Sequence, residues 1–275
     1  MSGSSNPRAV AVIMSVYAGD APDHLSQALS SVLAQDISEK RRVHVYLGVD
    51  GPIGAELRAV LELWEDRIHS YQPFERNRGL AHVLNDLIRS LQSEEYVFRM
   101  DADDVSLPGR FSAQVQFMEQ KPEIGICGTA INEMGEGGQR RLVTYPATHE
   151  EAMDALKWRS PFAHPTVCFR RSALDRLGSY PTAAANEDIA MWFRAAASGI
   201  RFGNLKAAHL DFRIADGFWK RRGLAKAAGE FRCYWQGLKS LGAPPFHFMY
   251  PPLRFVFRLT PATLRKYLYA SKIRS

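Results

Sequence analysis

Apolar segments of strand length alternate with amphipathic helical segments through the first 120 residues of the chain. The run over residues 9–17 is almost continuously apolar, which is typical of a strand buried on both faces of a sheet. Alternation of this kind predicts an α/β fold with a mostly parallel, doubly wound (Rossmann-like) sheet flanked by helices. Further strands are predicted at 43–49, 68–71 and 96–100, and helices at 24–34, 53–64 and 80–91.

The pattern becomes less regular beyond residue 104 and changes after residue 213. We predict a helix from 108 to 119, a strand at 124–129, a hairpin loop at 135–138, an extended segment at 161–170 and a helix at 187–198. Beyond these elements, basic residues are mixed with aromatic ones. We therefore divide the 275 residues into a main α/β domain at 1–216 and a basic helical C-terminal extension at 217–275.

Charge is distributed unevenly along the chain. The formal net charge is +6, yet residues 217–275 hold 12 Lys and Arg against the single acid Glu230, so the extension carries +11 and the rest −5. This polarity indicates an anionic partner for the extension, namely membrane lipid, nucleic acid or a charged substrate. Its interleaved aromatic residues suit a membrane interface, with amphipathic helices expected between 253 and 273. The alternative is a solvated helical cap on the sheet.

Cysteine usage and hydropathy indicate a cytoplasmic setting. Cys127, Cys168 and Cys233 are too far apart for a disulfide framework or a zinc ribbon, which favours a reducing compartment. The chain has no 18 consecutive apolar residues, so we predict no membrane span. We interpret the first apolar run as a buried strand and not as a signal peptide.

Three carboxylates follow directly on the strand predicted at 96–100. The segment from Arg99 to Asp104 is Arg-Met-Asp-Ala-Asp-Asp. Carboxylates this close repel one another, so their burial is costly unless they protonate or bind a cation. A hard divalent ion with phosphate oxygens as its other ligands resolves the conflict. The alternative is a solvated acidic turn with Asp104 or Ser106 as the N-cap of a helix.

Other polar residues follow the predicted strands at the edge where ligands of open α/β sheets bind. The strand ends are residues 15–17, Asp50 and residues 101–103. The loop at 77–80 leads into a helix N-terminus, which favours phosphate, and Arg76 or Arg78 adds a positive charge. The chain has no G-x-G-x-x-G or Walker A sequence, which argues against a dinucleotide-binding or P-loop enzyme.

Five segments resemble motifs of the family 2 glycosyltransferases, in the family's order. They are residues 11–17 (Ala-Val-Ile-Met-Ser-Val-Tyr), 77–81 (Asn-Arg-Gly-Leu-Ala), 99–104, 164–167 (His-Pro-Thr-Val) and 186–188 (Asn-Glu-Asp). The resemblance runs from about residue 10 to residue 213. It implies a GT-A fold, an inverting reaction and a nucleotide-activated sugar donor, with residues 1–216 as the catalytic domain.

The resemblance also implies roles on the donor side. Asp101, Ala102 and Asp103 match the family's D-x-D motif, whose later carboxylate coordinates Mn²⁺ or Mg²⁺ on the donor diphosphate. Asp101 would lie nearer the ribose, and Asp104 would support the site. Arg213 matches the Arg of a Tyr-Arg-x-His pattern that approaches the diphosphate, although Ala215 replaces the His.

Recognition of the nucleoside is expected from two further segments. Ser15, Val16 and Tyr17 match the family segment that cradles the nucleoside. Asp50 matches one member of an acidic pair that contacts the base, although Val49 stands where the other acid is expected. The alternative for Asp50 is a turn residue in Asp-Gly-Pro.

On the acceptor side, the resemblance makes Asp188 the general base that takes the proton from the attacking hydroxyl. Because Asp188 begins a predicted helix, we expect it to keep a low pKa. The alternative is that Glu187 and Asp188 only complement the helix dipole. His164 and Glu187 are expected near the acceptor, and a structural role is the alternative for His164.

We therefore expect a metal-dependent inverting enzyme that transfers sugar from a UDP-sugar to a glycan or lipid-linked acceptor in surface polysaccharide or lipopolysaccharide assembly. We expect it in the cytoplasm, or peripherally on the cytoplasmic face of the inner membrane through residues 217–275, without nucleic acid. A nucleotidyltransferase is one alternative, but residues 17–20 lack the basic loop that it needs. A second alternative is a non-catalytic basic protein that binds membranes or nucleic acid. That alternative would assign no function to the carboxylates at residues 101–104.

Overall fold

The computed structural model describes residues 8–37, 41–135, 138–184, 186–214 and 224–260, which form a nine-stranded sheet with helices on both faces. The strands are β1 (Arg8–Val16), β2 (Arg41–Val49), β3 (Ser70–Pro73), β4 (Tyr96–Asp101), β5 (Val105–Ser106), β6 (Ile124–Met134), β7 (Arg140–Val143), β8 (Cys168–Arg170) and β9 (Arg201–Arg213). The helices are α1 (Pro22–Leu33), α2 (Ala55–Leu63), α3 (Leu80–Ser90), α4 (Arg110–Gln120), α5 (His149–Leu156), α6 (Arg171–Leu177), α7 (Glu187–Ala197), α8 (Leu224–Ser240) and α9 (Tyr250–Leu259).

The sheet has a parallel half and a mixed half. Strands β3, β2, β1 and β4 lie side by side in that order and are all parallel. Strand β8 then pairs antiparallel with both β4 and β6, while β6 pairs parallel with β9. Strands β7 and β5 are antiparallel neighbours of β6 and β9. The predicted α/β fold is confirmed, and its antiparallel pairs occur beyond β4, where the regular alternation of the sequence ends.

Strand β1 is buried on both faces, as its apolar sequence predicts. Val12 and Met14 belong to the core cluster that includes α1, whereas Ala11 and Ile13 belong to the cluster that includes α3. Successive side chains of a strand point to opposite faces, so a strand between two helix layers needs an apolar residue at nearly every position. This requirement explains why the run could be recognised in the sequence.

Several later elements were not predicted from the sequence, among them β5, α5, α6 and β9. Helix α5 begins with a capping box, in which the Thr148 hydroxyl accepts a hydrogen bond from the Glu151 N–H and the Glu151 carboxylate accepts one from the Thr148 N–H. This Thr-x-x-Glu pattern is the signal that would have located the helix. The predicted hairpin at 135–138 does connect β6 with β7, and its residues 136–137 lie outside the described part of the chain.

The C-terminal helices pack on the layer that contains α7. Gly237 of α8 lies so close to Phe193 of α7 that an added Cβ would be 2.2 Å from the Phe193 Cγ. Buried Glu230 accepts hydrogen bonds from Arg254 and Arg258, which ties α9 to α8. Residues 217–223 and 261–275 of the predicted extension lie outside the described residues. None of the helices in the described part has the length and apolar character that a membrane span requires.

The carboxyl ends of β1, β2 and β4 meet at one edge of the sheet. Ser15 is in register with Gly48 on one side and with Asp101 on the other. After β2 the chain turns sharply at Gly51, whose φ is +89° and whose added Cβ would be 2.6 Å from the Asn77 backbone nitrogen. A glycine is needed here because other residues would be strained and would collide with that backbone.

We predict that Gly51→Ala lowers the free energy of unfolding by about 1–3 kcal/mol, because the change forces a side chain into a left-handed backbone conformation. Urea denaturation measures the loss. Gly54→Ala is the matched control, since an added Cβ at Gly54 meets nothing within 4 Å. Equal midpoints and slopes for the two variants would contradict the proposed strain.

Candidate active site

A cleft of about 940 Å³ lies along the edge where β1, β2 and β4 end. Among the residues singled out in the sequence, those that line it are Ser15, Tyr17, Asp50, Asp101, Ala102, Asp103 and Arg213. Those that do not are Val16, Arg78, His164, Glu187 and Asp188. The cleft is also lined by residues that sequence reasoning did not single out, including Arg99 and Lys226. The structure thus gathers most of the predicted donor-side residues in one cleft.

The acidic turn after β4 holds three carboxylates whose oxygens lie within 4.8 Å of one another, those of Asp101, Asp103 and Asp104. The guanidinium of Arg99 donates to the Asp101 carboxylate, with 2.6 Å between Nη1 and Oδ2. Asp104 is completely buried, and its Oδ2 has no hydrogen-bond partner among the described residues. Only part of the cluster's negative charge is therefore compensated within the described chain.

Burial and mutual repulsion disfavour the charged forms of two of these groups. The pKa of Asp104 is raised well above its usual value by burial and then by the charges of Asp101 and Asp103. The pKa of Asp103 is raised by burial and by the charge of Asp101. An all-oxygen set with an unpartnered buried oxygen fits a hard divalent cation such as Mg²⁺ or Mn²⁺, which would favour the ionised forms. Asp103, which lines the cleft, is the carboxylate best placed for such an ion.

The end of β9 is fastened to the acidic turn by Arg213. Its backbone N–H donates to the Asp104 Oδ1 at 2.9 Å, and its Nη1 donates to the Asp103 backbone carbonyl at 2.6 Å. A second cation at the cleft is exposed Lys226 of α8, which lines it. Within the described part of the chain, Lys226 has no ion pair or hydrogen-bond partner. The predicted departure at Ala215 lies outside the described residues.

Asp50 holds the loop that leads into α3. Its Oδ1 accepts a hydrogen bond from the Arg78 N–H at 2.7 Å, and its Oδ2 accepts one from the Gly79 N–H at 2.9 Å. The Arg78 guanidinium is paired with Asp86 and lies 3.9 Å from the centre of the Phe74 ring, outside the cleft. Asp50 is thus both a cleft residue and the anchor of the loop, while contact with a base stays a prediction.

The predicted acceptor-side residues lie around the start of α7. The Asp188 side chain is partly buried, and burial together with the charge of Glu187 raises its pKa to about 6. The expected low pKa is therefore wrong, because desolvation outweighs the favourable helix N-terminus. The His164 ring lies 3.0 Å from the Tyr180 hydroxyl, and burial and the charge of Arg99 lower its pKa well below the usual value, so His164 is neutral.

The charge of Arg99 acts both on the acidic turn and on the predicted acceptor-side residues Asp188 and His164. It is buried in β4 and lines the cleft, where it pairs with Asp101. Its charge also opposes the rise in the pKa of Asp188 and lowers the pKa of His164. Sequence reasoning treated it only as the start of the acidic motif, although an arginine inside a buried apolar strand is itself a signal of a paired charge.

A second group of metal-ligand residue types, His44, His69 and Glu94, lies toward the amino ends of β2, β3 and β4. Glu94 accepts hydrogen bonds from the Tyr46 hydroxyl and the Gln92 N–H, and its Oε1 is 2.8 Å from the His44 Nδ1. The rings of His44 and His69 are stacked 4.0 Å apart with 2° between their planes. The nitrogen lone pair of an imidazole lies in the plane of its ring. Because the two ring planes are parallel and separate, the lone pairs of His44 and His69 cannot both point at one ion, so this arrangement is not a metal site.

The chain matches the family model of glycosyl transferase family 2 over residues 11–178, and that of glycosyl transferase family group 2 over residues 96–270. It is 31% identical over 264 residues to the amylovoran biosynthesis glycosyltransferase AmsE of Erwinia amylovora, covering 94% of this chain and 97% of that protein. It is 28% identical over 268 residues to the UDP-Gal:alpha-D-GlcNAc-diphosphoundecaprenol beta-1,3-galactosyltransferase of Escherichia coli, covering 96% of each. This chain belongs to glycosyl transferase family 2.

Solved structures show the same architecture. The mannosyltransferase PcManGT from Pyrobaculum calidifontis, in complex with GDP-Man and Mn²⁺, is similar with a TM-score of 0.65 and 19% identity, over 98% of this chain and 76% of that one. TarS 1-349 of S. aureus has a TM-score of 0.62 and 16% identity, over 88% and 71% of the two chains. The GT-A type α/β fold is thereby confirmed. The family identifies a glycosyltransferase, which disfavours the nucleotidyltransferase and non-catalytic alternatives.

We predict that Asp50→Asn lowers the free energy of unfolding by about 1.5–3 kcal/mol, because a neutral amide cannot accept from both backbone N–H groups. Hydrogen exchange should accelerate at the amides of Arg78 and Gly79. Asp36→Asn, which changes an exposed carboxylate after α1, is the control and should leave both amides protected. Unchanged protection in the Asp50 variant would show that the loop is held by other contacts.

Proposed function

We propose that this glycosyltransferase moves a sugar, with inversion, from a nucleoside-diphosphate sugar to a hydroxyl of a glycan or lipid-linked acceptor. The main observation behind the proposal is the cluster of Asp101, Asp103 and Asp104 at a cleft where the strands end. The charge of Arg99, which pairs with Asp101, also acts on Asp188, whose pKa is about 6. The names of two similar proteins, one a UDP-Gal-dependent galactosyltransferase and one bound to GDP-Man and Mn²⁺, support a nucleotide-sugar donor.

On the donor side, this chain supplies carboxylates and cations to a diphosphate. Asp103, with Asp101 held by Arg99, would hold Mn²⁺ or Mg²⁺, and the ion would stabilise the charge on the leaving nucleoside diphosphate. Arg213 fixes the acidic turn, and the ammonium of Lys226 adds positive charge at the same cleft. These cations favour binding of the anionic donor.

The nucleoside is assigned to the remaining wall of the cleft. Ser15 lies near the end of β1 and Tyr17 directly after it, with Val16 buried between them, and Asp50 and Asn77 line the adjoining wall. Ala102 lies between the two carboxylates of the D-x-D motif and also lines the cleft. We assign the base to the side of Asp50 and the ribose to the side of Asp101.

Asp188 acts as the general base in this proposal. Its carboxylate takes the proton of the acceptor hydroxyl as that oxygen forms a bond to the anomeric carbon, and the bond from that carbon to the diphosphate oxygen breaks with its electron pair. A single displacement inverts the anomeric configuration. Glu187 raises the basicity of Asp188, and His164, which contacts Tyr180, is neutral and adds no charge.

We place the reaction in bacterial surface polysaccharide or lipopolysaccharide assembly, with a UDP-sugar as donor and a diphosphate-lipid-linked glycan as acceptor. The names of similar proteins support this setting, since one belongs to amylovoran biosynthesis, one to O-antigen biosynthesis, and one acts on a diphosphoundecaprenol-linked acceptor. The reaction would occur at the cytoplasmic face of the inner membrane, where nucleotide-activated sugars are available.

A donor screen tests the function. The purified full chain with Mn²⁺ is offered UDP-, GDP-, dTDP- and CMP-sugars together with a short-chain alkyl diphosphate-linked N-acetylglucosamine, and nucleotide release is followed. Release from an α-linked UDP-sugar with formation of a β-linked product is expected, and proton NMR of the anomeric centre reports the configuration. An α-linked product from an α-linked donor would overturn the inverting mechanism, and release from a different nucleotide would overturn the donor assignment.

We predict that Asp188→Asn lowers the transfer rate by about 10²–10⁴-fold, because the amide cannot accept the proton. In the wild type, kcat/KM should fall as the pH drops through about 6, since the base must be deprotonated. Glu187→Gln is the matched control. It should retain transfer and move this acid limb to lower pH, because the charge of Glu187 raises the pKa of Asp188. An acid limb that does not move would contradict the assignment.

We predict that Mn²⁺ raises the melting temperature of the wild type but not that of Asp103→Asn. At an ion concentration 100 times the dissociation constant, the stabilisation is about 2.7 kcal/mol. Without metal, the variant should melt at the same or a higher temperature than the wild type, because it removes repulsion among the carboxylates. Asp154→Asn, an exposed change on α5, should respond to Mn²⁺ like the wild type. A normal response in the Asp103 variant would exclude this metal site.

A further inference from the structure

We propose that one face of the α8–α9 pair binds directly to an anionic lipid bilayer. The face consists of an apolar stripe with neighbouring aromatic and basic side chains, and it lies outside the donor cleft. This inference concerns where the enzyme acts and does not depend on the identity of its donor or acceptor. It assigns the predicted membrane contact of residues 217–275 to particular side chains that the structure describes.

The apolar stripe comprises five large side chains, and each is exposed by between 43% and 65%: Phe246, Met249, Leu253, Val256 and Phe257. The first four are three to four residues apart through the turn before α9 and along the helix, and Phe257 follows Leu253 by four residues, which places all five on one face. They make up five of the eleven large hydrophobic side chains that are exposed among the described residues. Contiguous exposed apolar surface of this kind marks an interaction site.

The stripe faces outward because the opposite side of α9 is firmly held. Arg254 and Arg258 both donate to the carboxylate of buried Glu230 on α8. The ring of Tyr250 packs edge-on against that of Tyr234, with 5.2 Å between centroids. Turning the stripe inward would break this ion-pair network and leave a buried charge unpaired, which is strongly unfavourable.

The charge of this region favours anionic lipid as the occupant. Glu230 is the single acid within residues 224–260, and it is already engaged. The outer side of α8 exposes Arg232 and Lys239 on either side of half-exposed Trp235, whose ring packs against Phe248. Cations beside an aromatic ring on α8, which packs against the helix that carries the apolar stripe, suit the headgroup boundary of a bilayer. A second copy of the chain would instead bring like charges together.

The same helix connects this face with the donor cleft. Lys226, in the first turn of α8, lines the cleft, and Lys239 lies near the other end of the helix. An α-helix of 17 residues is about 25 Å long. Binding of the face to a bilayer would therefore hold the cleft within reach of a lipid-linked acceptor.

Vesicle flotation tests the proposal with the full chain. The wild type should float with vesicles of phosphatidylglycerol and phosphatidylethanolamine and should float poorly with pure phosphatidylcholine. The double variant Leu253→Glu/Val256→Glu should bind the anionic vesicles at least tenfold more weakly. Leu63→Glu is the control, because Leu63 is an even more exposed leucine on α2, away from the stripe. Far-UV circular dichroism and melting temperature verify that each variant folds.

Undiminished flotation of the double variant, or equal flotation with neutral vesicles, would overturn the proposal. So would a wild-type dimer in light scattering that the double variant converts to monomer, since a second copy would then cover the stripe. Failure here is distinguishable from failure of the catalytic proposal. Asp103→Asn should float like the wild type, and the double variant should release nucleotide normally with a water-soluble acceptor in the absence of vesicles.

Discussion

The ion pair between Arg99 and Asp101 is the interaction on which the candidate site depends. A guanidinium buried in the centre of the sheet is stable only with a partner, and Asp101 supplies it two residues further along β4. Burial opposes the charged form of Arg99, yet the Asp101 carboxylate raises its pKa above the usual value. This fixed positive charge lowers the pKa of Asp103 in the acidic turn and also that of Asp188. One buried charge thereby opposes the rise in pKa of both Asp103 and Asp188, which burial and neighbouring carboxylates cause.

The mixed topology of the sheet explains how these groups meet. The parallel half ends at the edge that carries Asp50 and Asp101, as a doubly wound sheet requires. Strand β9 belongs to the other half, and its last residue, Arg213, returns to the acidic turn to donate to Asp104 and to the Asp103 carbonyl. The site therefore exists only when both halves are folded, and the backbone of the acidic turn is held from two sides.

Sequence reasoning located the parallel half and the acidic turn of the cleft because both depend on local patterns. An apolar run such as β1 and a carboxylate cluster such as that at Asp103 are visible without knowledge of the fold. The pKa of Asp188 could not be inferred in this way, because it depends on how far α8 and the core desolvate the start of α7. The loop-holding role of Asp50 was also hidden, since it requires two backbone N–H groups 28 and 29 residues away. Strand β9 was missed because its exposed and buried residues do not alternate regularly.

The proposed membrane contact gives a physical reason for the uneven distribution of charge along the chain. At an anionic surface, the acidic part would be repelled and the basic extension attracted, so the long-range field would turn the extension toward the proposed membrane contact. This steering would act over about one Debye length, roughly 8 Å at physiological salt, and the apolar stripe would then provide the short-range binding. Charge alone would leave the attachment loose and salt-sensitive, whereas the apolar stripe alone would bind any exposed hydrophobic surface. Because α8 carries Lys226 at the cleft and packs against α9, which bears most of the stripe, orientation and attachment would act through one pair of packed helices.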